Sequence, residues 1–145
     1  MEEKRPEATV GGLIVRSDGK ILLVKSYKWN NYFSVPGGHI EFGERAEDAI
    51  KREILEETGL DVEVIELLMV QQAINPEGYY KRDVHYIFLD YLCKAKNSEV
   101  HLDNVELQDY LWINPEEALK LNLEPYTRRL LEKYLNKTKD TLSIS

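Results

Sequence analysis

The sequence predicts an α/β domain in which a mixed β-sheet is flanked by helices. Three observations carry that prediction. Apolar, β-branched runs recur at 9–15, 21–24, 62–70 and 84–93. One long helix-forming stretch, Glu44 to Thr58, lies among them, and two shorter ones open on Pro115 and Pro125. Gly, Asn, Asp and Pro clusters separate these segments. The 145 residues are one domain's worth, expected as a single domain over 1–145. Its ordered core is expected at about 8–136, with a frayed start and a disordered tail from Lys137 to Ser145.

Each element has a local reason. Thr9–Val15 and Ile21–Val24 flank the turn Ser17-Asp18-Gly19-Lys20 and read as a hairpin, the second strand buried on both faces. Gly11 and Gly12 inside the first strand imply either close backbone approach or a bulge. Ser26 to Phe33 is a polar-aromatic loop; Tyr27 and Trp29 either stack on a base or cover one end of the core, and Phe33 is assigned to the core. Val35-Pro36-Gly37-Gly38 ends a short strand in a tight turn. Gly59 stops the long helix. Val62–Val70 alternates as a strand, and Ala73–Arg82, with Asn75-Pro76-Glu77-Gly78, forms a long loop over the site. Val84–Cys93 is another strand, with a weak one near Val100 and a short one at Tyr110–Ile113. Asn114 caps a short helix, and Leu130, Leu131, Tyr134 and Leu135 make an apolar stripe on the last one, Pro125–Asn136.

The long helix is where chemistry enters. On a wheel of about 100° per residue, Glu53, Glu56 and Glu57 share one face, with Ala46 and Ala49 beside them. Ile50 and Ile54 mark the apolar stripe, while Glu47, Lys51 and Thr58 point away. Carboxylates at i, i+3 and i+4 repel, by roughly 0.2–0.5 kcal/mol per exposed pair. Oxygen-only ligands so clustered suit a hard divalent cation, Mg²⁺ or Mn²⁺, rather than zinc.

The whole spacing narrows the reading further. Gly38, five residues, Glu44, seven residues, then Arg52-Glu53-Ile54-x-Glu56-Glu57-x-Gly59-Leu60 resembles the signature box of the Nudix hydrolases at each defined position. The resemblance extends more loosely over 8–136. It implies a Nudix-type α/β/α sandwich and divalent-metal-dependent hydrolysis of a diphosphate linkage. It also implies metal ligation by Glu53, Glu56, Glu57 and the carbonyl of Gly37, with Arg52 orienting the glutamates. Glu44 is either base or outer ligand, so Glu53, Glu56, Arg52 and Glu44 form the expected catalytic set. Glu106 is a further candidate base against a simple solvated residue. Two positions depart from the pattern: Phe33 stands where a tryptophan is usual, and Arg45 where Ser or Thr caps the helix.

Substrate residues are less marked. Tyr27 and Trp29 are candidates for the base, and Lys81 and Arg82 for a phosphate or ribose, although a charged hairpin end also accounts for the latter two. Pro76, sixteen residues past Leu60, stands where a proline accompanies ADP-ribose cleavage in the family. The reading therefore leans to ADP-ribose or a nucleotide-sugar, with MutT-type cleavage of nucleoside triphosphates as the alternative and a non-catalytic nucleotide sensor behind both. The formal charge of −7 argues against nucleic acid or an anionic membrane as partner. A small-molecule nucleotide is expected instead, and a homodimer is left open. Cys93 stands alone, and neither a leader-like apolar segment nor a membrane span is found, so a cytoplasmic setting is expected. His39, His85 and His101 lack zinc-ligand spacing.

Overall fold

The computed structural model describes residues 3–144, with side chains to Lys137. Strands β1 (Glu7–Val15), β2 (Ile21–Ser26), β3 (Phe33–Ser34) and β4 (Gly37–His39) precede helix α1 (Ala46–Thr58). Then follow β5 (Val62–Ile74), β6 (His85–Ala95), β7 (Leu107–Ile113), α2 (Pro115–Ala118) and α3 (Pro125–Ile144). The strands form one mixed sheet in the order β3-β2-β1-β6-β5, with β4 on β1 and β7 on β2.

Alternation along β1 and β2 divides the core. Val10, Ile14, Leu22 and Val24 face one way and pack with Ile50 and Ile54 of α1. Leu13, Ile21 and Leu23 face the other way and pack with Leu130 and Leu131 of α3. This is the α/β/α sandwich expected. Gly12 lies directly beneath α1, where a Cβ would stand 2.8 Å from Ile54 Cδ1. Close approach, rather than a bulge, accounts for the glycine pair. Cys93 is fully buried in the first core.

The hairpin of β1 and β2 is brief, pairing at Val15 with Ile21. The long partner of β1 is β6, parallel from Glu7–Tyr86 to Val15–Lys94. On its other edge β1 diverges from β2, and the segment 33–39 wedges between them. Phe33 and Ser34 pair with β2, then Gly37 to His39 pair with β1. The expected tight turn at 35–38 is thus an extended crossover, with the Pro36 carbonyl accepting from Gly12 N–H at 3.0 Å. That split in the sheet opens the cleft described below.

Several boundaries differ from the sequence reading. β5 continues past Val70 to Ile74 because its whole length pairs with β6. Residues 97–103 form no strand; Val100 instead packs on the α1-side core. Thr58, expected to point away, is buried because its hydroxyl donates to the Ile54 carbonyl at 2.6 Å and accepts from Leu60 N–H. Helix α3 runs beyond Asn136 to Ile144, where a disordered tail was expected; Met1, Glu2 and Ser145 lie outside the described residues. No helix among the described residues is long and apolar enough to cross a membrane.

Backbone packing at the wedge gives a direct test. A Cβ on Gly37 would overlap the Val10 carbonyl oxygen, which is backbone, whereas one on Gly12 meets the mobile end of Ile54. Gly37→Ala is expected to cost about 3 kcal/mol or more and Gly12→Ala about 1 kcal/mol, read from urea unfolding. Equal losses would contradict this packing.

Candidate active site

Helix α1 begins without a side-chain cap at Arg45 and ends at Gly59 in the left-handed conformation, φ 74°. Its face is organised by Arg52. The guanidinium donates through Nε and Nη2 to both oxygens of Glu44, at 2.8 and 2.9 Å. Nη1 reaches Glu53 at 2.9 Å and Glu56 at 3.4 Å. Nη2 also donates to the His39 carbonyl at 3.1 Å, tying the helix to the end of β4. Charge-assisted pairs of this kind are the stronger hydrogen bonds. Arg52 holds the Glu44 carboxyl down at about 2, helped by the Glu41 N–H. Burial pushes the Glu53 carboxyl up, against the pull of Arg52.

Glu57 is outside this clamp. It is 4% exposed, and its Oε2 accepts from Gly37 N–H at 3.1 Å. Burial, a hydrogen bond with Glu106 and the charges of Glu106 and Glu53 raise its carboxyl to about 10. Glu106 arrives from the loop before β7 and is paired with Lys28. Burial alone would raise Glu106; its bonds to Glu57 and Lys28 outweigh that and hold it below the usual range. Two carboxyls therefore meet with one proton favoured between them. Gly38 makes room for the Glu53 carboxylate, since a Cβ there would lie 2.5 Å from it.

These donors are all oxygen, crowded, and short of positive charge, which fits a hard divalent cation. Glu53, Glu56, Glu57 and the backbone at Gly37 are the residues that would hold it. Among the described residues no three acidic, histidine or cysteine side chains converge on one point. Glu53 and Glu56 turn to Arg52, and Glu57 turns to Gly37. Mg²⁺ needs only one or two carboxylates when substrate phosphates complete its shell, so the fit stands.

Glu57, Glu106, Gly37 and Gly38 form one end of a cleft of about 820 Å³, its open mouth included. Its wall is aromatic: Trp29, Tyr79, Tyr86, Phe88 and Tyr126. Trp29 and Tyr79 stand 4.7 Å apart and Phe88 and Tyr126 5.3 Å apart, centroid to centroid. Asp90, Glu124 and Thr127 line it on the α3 side. Of the four proposed substrate residues only Trp29 lines this cleft. Tyr27 packs edge-on against Tyr80 at 5.6 Å. Lys81 lies over the Tyr80 ring, and Arg82 donates to the Pro76 and Asn75 carbonyls. These three brace the loop 75–83, because the charged and exposed ends are spent on the loop's own backbone and rings. That loop supplies Tyr79 to the wall and is fastened by Tyr80 N–H to the Lys28 carbonyl at 2.8 Å. Lys28, Tyr79, Tyr86, Phe88, Asp90 and Tyr126 had no signal in the sequence beyond alternation along β6, which places Tyr86, Phe88 and Asp90 on one face.

A NUDIX domain model matches residues 5–134. The nucleoside triphosphatase NudI of Escherichia coli is 33% identical over 127 residues, covering 81% of this chain and 89% of that protein. Among solved structures, a MutT NUDIX hydrolase from Burkholderia pseudomallei superposes with a TM-score of 0.77 at 30% identity, over 90% of this chain and 98% of that one. The MutT protein from Methanosarcina mazei Go1 gives 0.80 at 22% identity, over 96% and 99%.

Glu57 has a pH signature. Its carboxyl titrates at about 10 in the fold against 4.5 ordinarily. The neutral acid's contribution to stability is therefore complete below pH 4.5 and is lost as pH rises toward 10. In EDTA the melting temperature is expected to fall across that window, and less steeply in Glu57→Gln, which mimics the neutral acid. Mg²⁺ favours the charged carboxylate and should restore the wild type at the alkaline end but not the variant. Parallel melting curves for the two proteins, with and without Mg²⁺, would contradict this account.

Proposed function

The chain belongs to the NUDIX family and is a hydrolase of that class, and we propose that it cleaves a diphosphate linkage in a nucleoside derivative. The observation that carries this reading is the continuity of one cleft, from the aromatic wall to the Glu57–Glu106 end. A planar base suits the rings, and the phosphates then extend toward the carboxylates. The favoured substrate is a nucleoside triphosphate, cut to monophosphate and pyrophosphate, supported by the relative named as a nucleoside triphosphatase. ADP-ribose or a nucleotide-sugar is the second reading and rests on Pro76. That proline is buried in the loop 75–83, outside the cleft lining, and so gives a sugar-linked substrate less support than the relative gives a triphosphate. The lone, buried Cys93 supports a reducing, cytoplasmic setting.

The residues divide the work. A divalent cation, Mg²⁺ by this proposal and Mn²⁺ as substitute, supplies neutralisation of the diphosphate and acidification of the attacking water when bound. Glu53, Glu56, Glu57 and the Gly37 carbonyl would hold it. Arg52 fixes the rotamers of Glu53 and Glu56 so that little reorganisation accompanies the reaction. Glu44, tied to Arg52 through both oxygens, is too weak a base to take a proton near neutrality and acts as a positioning residue. Whichever of Glu53 and Glu56 is left free of the cation takes the proton from water as it attacks phosphorus, and the bridging P–O bond breaks with pyrophosphate as the leaving group. Glu106, kept charged by Lys28, stands opposite Glu57 as an alternative acceptor.

Glu53→Gln or Glu56→Gln is expected to lower kcat by roughly 10²–10⁴-fold with a much smaller change in KM, because the base is held elsewhere. Pyrophosphate and phosphate release with Mg²⁺ against EDTA measures both. A variant retaining half of wild-type kcat at saturating Mg²⁺ would remove that residue from the mechanism. For the substrate, a panel of triphosphates, ADP-ribose and sugar nucleotides scored by kcat/KM decides the order. A lead of about tenfold for ADP-ribose would return the second reading to first place.

A further inference from the structure

The α3-side end of the cleft contains a carboxyl that neither the fold nor the hydrolytic chemistry uses. Asp90 is 5% exposed and lines the cleft, on the same face of β6 as Phe88 and Tyr86. Its Oδ2 accepts from Gln71 Nε2 at 2.9 Å. The same nitrogen also donates to the Tyr126 carbonyl at 2.9 Å, so the amide is fixed from two directions. Oδ1 has no donor among the described residues. Asp90 lines the cleft, so this oxygen is open to a donor on a ligand. The neighbouring Glu124 differs: its oxygens accept from Tyr126 N–H, Thr127 N–H and the Thr127 hydroxyl, capping α3.

Space has been kept in front of Oδ1. Gly11 pairs with Asp90 across β1 and β6, and a Cβ on Gly11 would come within 2.7 Å of that oxygen. The ring of Phe88 stands two residues away on the same strand face, edge to face with Tyr126. An aromatic wall with the Asp90 carboxyl beside it suits a nucleobase, which can stack on the rings and offer a donor at its edge.

We propose that Asp90 reads the base: Oδ1, fixed from behind by Gln71, accepts a hydrogen bond from an exocyclic amino group, so that amino-bearing bases are preferred over their keto counterparts. This rests on the functional reading above and deepens it, and it holds for either substrate reading. A site built to bond a polar group discriminates strongly against an analogue lacking it, because its own group is then left unpaired. Burial, partly offset by Gln71 and reinforced by Glu124, raises the carboxyl to about 7; the acceptor form is therefore dominant on the alkaline side of neutral.

The test compares matched pairs, CTP against UTP and ATP against ITP, with the full chain and Mg²⁺ on that alkaline side. The wild type should favour the amino member by about tenfold or more in kcat/KM. In Asp90→Asn the carbonyl can keep the Gln71 bond and turn the amide NH₂ into the cleft, so the preference should reverse. Where that variant does not fold, judged by its melting curve, Asp90→Ser should bring both ratios toward one. Wild-type ratios near one overturn the inference while leaving the hydrolase reading intact. So does a variant that slows all four nucleotides equally, which would make Asp90 structural. A variant that alters ATP against dATP but not ATP against ITP assigns Asp90 to the ribose and overturns it as well. No turnover of the four triphosphates removes the triphosphate reading and moves the comparison to ADP-ribose against its hypoxanthine counterpart, where a ratio near one overturns the inference.

Discussion

Four glutamates of one short stretch, Glu44, Glu53, Glu56 and Glu57, crowd around a single guanidinium, and Arg52 touches only three of them. That shortfall of positive charge shapes the rest of the site. The three paired carboxylates are held in place, with Glu44 spent on holding the arginine. The fourth, Glu57, is pressed into the wedge between β1 and β2, where it has the Gly37 N–H and another acid, Glu106, for company. Leaving a carboxyl so placed costs stability at neutral pH. A structure that keeps it there is poised to gain from a divalent cation, since binding relieves both the repulsion and the desolvation at once.

The sheet serves this arrangement by splitting. Were β1 and β2 paired along their length, the segment 33–39 would have no place and the cleft would close. Instead Pro36 gives its carbonyl to Gly12, Gly37 and Gly38 bring backbone against β1 and Glu53, and the aromatic wall stands over the gap. Glycine at 11, 37 and 38 is required by atoms that a side chain would displace, respectively Asp90, Val10 and Glu53. The close packing of the wedge and the openness of the cleft are two sides of the same geometry.

What could be read from the sequence was local. The i, i+3, i+4 spacing of Glu53, Glu56 and Glu57 determines that they share a helix face, and Gly59 determines where that helix ends. Apolar, β-branched runs assigned β1 and β2 to the core, and helical spacing set Leu130 and Leu131 on the buried stripe of α3. Relations across the sheet were not legible. Phe88 and Tyr126 are 38 residues apart in the chain, and their contact depends on how β6 and α3 dock. Glu106 read as a loop residue, because only the β2–β7 pairing carries it to Glu57 and Lys28. Tyr27, Lys81 and Arg82 have suitable chemistry for a nucleotide, yet their contacts turn them into the loop 75–83. Thr58 was placed on the outer face by the wheel alone. Its hydroxyl bonds to the Ile54 carbonyl, which a wheel does not include, draw it inward.

The proposed function stands on the Glu53–Glu57 cluster binding a divalent cation beside the Glu57 end of the cleft. Paramagnetic resonance of free Mn²⁺ tests it without recourse to turnover. Added protein should quench the free-ion signal saturably, Mg²⁺ should compete it back, and Glu53→Gln and Glu57→Gln should weaken the quenching while retaining cooperative melts. Quenching of equal strength in those folded variants would place the cation elsewhere and contradict the account.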